Sequence, residues 1–443
     1  MIKAKDNSTV LVPASENLNH LRWLAQCPIG KLGADEGGSL LVFPQSFDEY
    51  GDKIADEHIF SVYDDGKLQT SNIMGFIGYK GTEISICSRF AQDENDYFLH
   101  YMLQRVFAIN LFELKHDFNK ESVFDFLIFL FPAFLKRALR QGLYKEYQSH
   151  QYNDANIKGR IDVNRHIKLN IPFAGKVAYT AREYSFDNKV TQLIRHTIEY
   201  IASHPLGDSI LNSDEETKEA VATINSATSS YQRNDRNLIV SQNLRPTTHP
   251  YYVDYRDLQR LCLQILRHEE IKYGADKEQV YGVLFDGAWL WEEYLNTIIG
   301  KEYPNTILPG FEHPRNKTDN GRKCLFTDNS GWCFPDFYNE QMVLDAKYKG
   351  YAGWTKDHKV QNPDLFQVIS YMHVLNLNKG GFVVPVSNEQ KTPESKTLNG
   401  YGGQMSIFGM NVDVKARTFN EYMTEMNKEE ERLQASIRDF MLN

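Results

Sequence analysis

Two aspartates and a lysine have the types and the spacing to do chemistry. They lie in Phe334-Pro335-Asp336-Phe337-Tyr338-Asn339-Glu340-Gln341-Met342-Val343-Leu344-Asp345-Ala346-Lys347-Tyr348-Lys349. Two short apolar runs joined by Asn339-Glu340-Gln341 predict a β-hairpin. Side chains alternate along a strand, so Asp345 and Lys347 share one face, Ala346 takes the other, and Asp336 sits across the turn. Two carboxylates in reach of each other repel unless a cation lies between them. Mg²⁺ suits that place, because it takes oxygen ligands and needs only one or two carboxylates besides water and substrate phosphate. A lysine beside such an ion can hold or deprotonate an attacking water. The chemistry expected is phosphodiester hydrolysis. The ordinary alternative, strand carboxylates merely matched by Lys347 and Lys349, is disfavoured because an aspartate in an apolar strand is destabilising without a counter-ion.

The elements that must position these residues read as a mixed sheet flanked by helices. Upstream, Phe285-Asp286-Gly287-Ala288-Trp289-Leu290-Trp291-Glu292-Glu293-Tyr294-Leu295 opens a helix whose apolar stripe is Leu290, Trp291, Tyr294, Leu295 and Ile298. Glu292, next to that stripe, either faces solvent or leans toward the sheet edge. A basic loop, Pro314 to Lys323, precedes two strands, Lys323 to Thr327 and Gly331 to Phe334, around the turn Asp328-Asn329-Ser330. After the hairpin, Pro363 to His373 reads as a helix with Pro363 at its start, and Gln367 and Tyr371 share a face. Gly381 to Val386 returns as a buried strand, Met405 to Val414 as a further strand pair, and residues 419–441 as a charged terminal helix.

The rest of the chain carries less chemistry. Residues 1–92 are β-rich, the clearest hairpin being Met74 to Tyr79 with Glu83 to Cys87, and are expected to form a small domain able to dock a partner. Residues 93–278 are expected to be mainly helical, with helices near 96–103, after a Ser122 cap, over 184–203 (capped by Asp187 or Asn188) and over 258–268. Lys158 to Lys168 is a basic island that either tracks phosphates or is a solvated surface. Residues 204–248 read as loop or exposed helices. Residues 279–443 are the catalytic unit, making the whole an α+β multidomain chain.

Composition narrows the possibilities. A chain of 443 residues exceeds one typical core, and 42% hydrophobic with 13% aromatic content excludes a disordered protein. The net charge of −9 is unlike a protein that grips DNA unaided, so DNA must meet a local basic surface or be delivered by a partner. Five cysteines without a C-x-x-C spacing indicate neither zinc nor a disulfide framework and fit a reducing cytoplasm. No signal pattern is evident, and Phe124 to Leu135, the most apolar run, is too short to span a membrane.

Pro335-Asp336, then eight residues, then Asp345-Ala346-Lys347 resembles the PD-(D/E)xK nuclease superfamily, and the Gln367/Tyr371 helix resembles that of its RecB-like members. A closer resemblance is to the McrC family, the nuclease subunit of McrBC-type restriction systems. It is carried by Leu290-Trp291-Glu292-Glu293-Tyr294, Asp345-Ala346-Lys347-Tyr348, Asp364-Leu365-Phe366-Gln367 with Tyr371, Gly75-Phe76-Ile77, Glu83-Ile84-Ser85-Ile86, Lys158-Gly159-Arg160-Ile161-Asp162 and Glu183-Tyr184-Ser185-Phe186-Asp187-Asn188. The chain departs from the family at Cys87-Ser88-Arg89, where a Pro-Lys is usual, and is longer in 1–70 and 204–248.

The resemblance implies a C-terminal PD-(D/E)xK endonuclease domain and a two-part antiviral restriction machine. A McrB-like AAA+ GTPase hexamer would bind and translocate double-stranded DNA, while the McrC-like subunit docks through its N-terminal part, stimulates GTP hydrolysis and cuts. Asp336, Asp345 and the Ala346 carbonyl would ligate Mg²⁺, Glu292 would complete the metal shell through water or bind a second ion, Lys347 would orient or deprotonate the water, and Gln367 and Tyr371 would position the strand or the lysine. The rival expectations are a regulatory subunit that activates the ring with little cleavage of its own, and a stand-alone RecB-like repair nuclease.

Overall fold

A computed structural model describes the chain except for residues 15, 35–38, 45–55, 93–94, 108–119, 273–279, 302–307, 315–321, 351–353, 355–359, 388–393, 401 and 443, and except for the side chains of 33–34, 39, 120–126, 268–272 and 394. Most of the basic loop expected between Pro314 and Lys323 lies outside the described residues. Among the described residues no helix is long and apolar enough to cross a membrane.

Two compact units form, not three consecutive ones. Residues 1–126 and 276–443 make one, and residues 127–275 make the other. The reason lies in one strand. Tyr281–Asp286, expected to begin the catalytic unit, completes the N-terminal sheet. That sheet runs Ile2–Lys5, Thr82–Cys87, Ile73–Tyr79, Tyr281–Asp286, Ser39–Phe43, with Tyr281–Asp286 antiparallel to Ile73–Tyr79 and parallel to Ser39–Phe43. All six residues of Tyr281–Asp286 are buried, which is why the segment reads as an apolar run without strand alternation. Gly75 and Gly282 hold φ of +124° and +140°, and a Cβ on either would sit 2.1 Å from a carbonyl oxygen of the neighbouring strand. Only glycine lets these two strands approach.

The C-terminal sheet of the same unit is mixed. Its order is Phe337–Tyr338, Val343–Ala346, Lys379–Val386, Gln404–Asn411, Glu394–Thr397, with the three central strands parallel and both edges antiparallel. Residues 405–414 are therefore not a strand pair: Gln404–Asn411 is one strand, and its antiparallel mate is Glu394–Thr397.

Helix Gly287–Ile299 begins at Asp286, whose carboxylate accepts the Trp289 amide at 2.7 Å as an N-cap. It buries Leu290, Trp291, Tyr294, Leu295 and Ile298, the stripe read from spacing. Trp291 Nε1 donates to Val383 O at 3.2 Å, and the same carbonyl accepts the Lys347 amide at 3.0 Å. The helix thus holds the strand from which Lys347 extends. The terminal helix Phe419–Leu442 closes the unit through Glu430, which accepts from Tyr101 at 2.7 Å and Tyr294 at 2.9 Å and pairs with Arg105.

The 127–275 unit combines a long hairpin, Glu146–Asp154 with Val177–Ser185, and helices. Helix Lys189–Ala202 has Asn188 as its cap in a full capping box with Thr191. Asp254–Lys272 extends the expected 258–268 helix at both ends. Helix Lys120–Leu139 starts two residues before Ser122, so Ser122 lies within it and does not cap it. Residues 204–248 hold short helices, as expected of that stretch. In the basic island, Arg165 is spent on backbone carbonyls of Tyr152 and Tyr179, and Asp162 caps helix Val163–Leu169.

Candidate active site

The hairpin forms where the sequence placed it. Asn339 Oδ1 accepts the amides of Gln341 and Met342 at 2.9 and 3.0 Å, a side-chain-closed turn that sets the register Phe337 opposite Leu344 and Tyr338 opposite Val343. Asp336 precedes the first strand and Asp345 lies in the second. Asp336 Oδ2 accepts the Ala346 amide at 2.8 Å, which carries its carboxylate over the end of the neighbouring strand.

Asp345 has no exposed surface. Its Oδ2 lies 2.8 Å from Lys347 Nζ as an ion pair, while Oδ1 takes no hydrogen bond from any described residue. Burial, and then the facing Asp336 charge, push its carboxyl up to about 8 against the pull of Lys347. Burial would lower Lys347, but Asp345, Asp336 and Asp364 outweigh it and hold the ammonium above its ordinary range. Even with Lys349 paired to Asp364, the three neighbouring carboxylates outnumber the ammoniums by one.

Lys347 is held from a second side. Its Nζ donates to Gln367 Oε1 at 3.1 Å, and Gln367 Nε2 donates to the Tyr371 hydroxyl at 2.7 Å. Both come from helix Asn362–Leu375, which has Pro363 in its first turn. Burial, and then Asp336, raise the Tyr371 hydroxyl, so it stays protonated.

Two neighbours escaped the sequence reading as site residues. Asp364 accepts Lys349 Nζ at 2.9 Å and lies 3.7 Å from Lys347 Nζ. Positions 364, 367 and 371 fall at i, i+3 and i+7, so helical spacing alone puts Asp364 on the face of Gln367 and Tyr371. His313 left no local signal. Its ring, 3% exposed, stacks on Phe337 at 4.7 Å, and its Nδ1 lies 2.9 Å from Asp336 O, which makes that nitrogen the donor. Glu292 and Glu293 flank the same ring at 3.8 and 3.6 Å. Glu292 thus lies beside the ring that donates to the Asp336 carbonyl.

The donor set fits a hard cation. Asp336, Asp345 and the Ala346 carbonyl supply oxygen only, and a buried carboxylate oxygen without a hydrogen bond is what a cation would satisfy. No group of three or more His, Cys, Asp or Glu residues placed to hold a metal occurs among the described residues, and a Mg²⁺ site with water and phosphate does not require one.

Comparison with known proteins places this geometry in a family context. The family model described as "McrBC 5-methylcytosine restriction system component" matches residues 68–385. Among solved structures, the chain is similar to one in the refined half-complex from a tetradecameric assembly of Thermococcus gammatolerans McrB AAA+ hexamers with bound McrC. The TM-score is 0.52 at 14% identity, over 99% of this chain and 99% of that one, a likeness of fold. The cryo-EM structure of the Thermococcus gammatolerans McrBC complex also matches, at a TM-score of 0.32 and 13% identity, over 67% of this chain and 85% of that one. No curated protein matches.

Proposed function

This chain belongs to the McrBC family of 5-methylcytosine restriction system components, and we propose that within it the chain is the Mg²⁺-dependent endonuclease subunit that cuts double-stranded DNA. The observation that supports this most is Asp345: a fully buried carboxylate, one oxygen of which takes no hydrogen bond from any described residue, facing Asp336 and adjoining Lys347. A structural carboxylate at that depth is normally hydrogen-bonded at both oxygens.

Asp336, Asp345 and the Ala346 carbonyl would hold the ion, with Glu292 reaching it through water. Bound there, Mg²⁺ would acidify a water and polarise the scissile phosphate. Lys347, fixed between Asp345 and Gln367, orients the water and offers its positive charge to the phosphate oxygens as they gain charge. Tyr371 keeps Gln367, and through it Lys347, in one rotamer. Asp364 holds Lys349 and adds negative potential beside Lys347.

The partner in this reading is a McrB-like AAA+ GTPase hexamer, in keeping with the McrB AAA+ hexamers and bound McrC named for the similar structure. A net charge of −9 fits a cutting subunit whose DNA is delivered by that ring. The setting is cytoplasmic antiviral restriction. The test is a plasmid-cleavage assay of the full chain with its AAA+ partner, GTP and Mg²⁺, beside Asp345→Ala. Cleavage by the wild type alone supports the reading. Equal cleavage by both places the metal site elsewhere, and no cleavage by either leaves the chain a regulator of ring GTPase activity.

A further inference from the structure

The hairpin leading into Asp336 keeps large apolar side chains mostly in water, although the Trp332 Nε1–H also donates to Asn329 O at 2.9 Å within the turn. Lys323–Cys324 and Trp332–Cys333 pair antiparallel. The turn is closed locally: Ser330 donates from its amide and its hydroxyl to Asp328 Oδ1, and Asn329 and Gly331 take φ of 63° and 67°. Leu325 and Phe326 amides donate back to Gly331 and Ser330 carbonyls at 2.9 and 3.2 Å. On this fixed turn Phe326 is 62% exposed, Trp332 63% and Leu325 41%. Scattered exposed apolar residues are ordinary, but three on one short rigid element mark a contact surface.

Charge indicates what it contacts. The Arg322 guanidinium lies 4.6 Å from the Trp332 ring centroid, and the Lys323 ammonium lies 4.8 Å from that of Tyr338. Between 322 and 334 the only acidic residue is Asp328, already engaged by Ser330. Trp332 is four residues from Asp336, and Cys333 packs on the cluster that includes Tyr371. Cationic and aromatic groups together beside a phosphodiester-cutting site match nucleic acid, whose bases offer π-faces and whose backbone offers phosphates.

We propose that this hairpin grips DNA at the cut site, with Phe326 and Trp332 stacking on or wedging between bases beside the scissile phosphate and Arg322 and Lys323 holding flanking phosphates. The proposal rests on the nuclease reading above. Stacking also answers the charge problem of an acidic chain, because it draws on base surface and not on net charge.

The experiment uses the full chain with its AAA+ partner and fluorescent duplexes carrying 2-aminopurine near the cut. Trp332→Ala and Phe326→Ala should each weaken DNA binding roughly tenfold, the value of about one lost stack, with the loss falling on KM more than on kcat. Trp332→Phe should recover most of it. Arg322→Ala should lower the slope of log affinity against log salt by about one, and Trp332→Ala should leave that slope unchanged. The proposal is overturned if the Phe326→Ala/Trp332→Ala double variant binds and cuts like wild type. It is equally overturned if that variant keeps its DNA affinity and loses assembly with the partner, which would make the hairpin a protein-docking surface. Binding by Asp345→Asn chains tests the hairpin even if the wild type cuts nothing, an outcome that counts against the nuclease reading alone.

Discussion

Asp336 Oδ2 accepts the Ala346 amide at 2.8 Å, so one candidate metal ligand is aimed by the backbone of the residue that separates Asp345 from Lys347. Strand register therefore sets carboxylate geometry directly. A shift of one residue would turn Asp345 and Lys347 to the other face of the sheet.

Replacing Asp345 with Asn should end cleavage while leaving a folded chain. Losing a metal ligand costs more than the 10–100-fold typical of an outer-shell partner, so activity should fall by at least ~100-fold. Asn keeps the size of the side chain at a fully buried position where burial already disfavours the charged carboxylate. Cleavage by Asp345→Asn within tenfold of wild type would remove Asp345 from the metal site.

Mg²⁺ affinity should depend on pH because of the same residue. Burial pushes the Asp345 carboxyl up to about 8, so near neutral pH in the metal-free protein a proton competes with Mg²⁺ for it. Affinity should fall about tenfold per pH unit below 8, with close to one proton released. The sign for stability follows. A carboxyl with a raised folded pKa favours the metal-free fold at low pH, and that contribution is lost as pH rises through about 8. Titration calorimetry in buffers of different ionisation enthalpy measures the proton count; zero protons between pH 6 and 8 would sink this account.

Gln367→Ala should lower kcat by roughly 10–100-fold with little change in KM, since Gln367 orients Lys347 through a 3.1 Å hydrogen bond. Tyr371→Phe should cost less, because it removes only the acceptor of the Gln367 amide. The reverse order in steady-state kinetics would mean that Tyr371 acts on its own.

Arg89 should prove structural and yet matter to the site. It donates to Asp6, whose carboxylate is wholly buried, and its guanidinium lies 4.6 Å from the ring of Tyr348, the residue after Lys347. Arg89→Met strands the Asp6 charge and should destabilise by about 3–5 kcal/mol, with Asp6→Asn/Arg89→Met recovering part of it. Urea denaturation of the two variants decides; equal midpoints would show that the buried charge is not the cause.

The Asp345/Lys347 face, the closing turn at Asn339, the Gln367/Tyr371 pair and the Asn188 cap were legible in the sequence because each depends on residues within one turn or one pleat. Backbone geometry alone fixes such relations. Asp364 obeyed the same spacing and was legible too, although it was not read as part of the site. The place of Tyr281–Asp286 in the N-terminal sheet, the packing of His313 beside Glu292 and against the Asp336 carbonyl, and the complete burial of Asp345 were decided by tertiary structure. Each requires segments far apart in the chain to share one core, and local periodicity carries no information about which segments meet. The sequence by itself determined which groups could do the chemistry. Packing removed Asp345 from water, and that loss of solvation is what lifts its carboxyl above the ordinary carboxylate range.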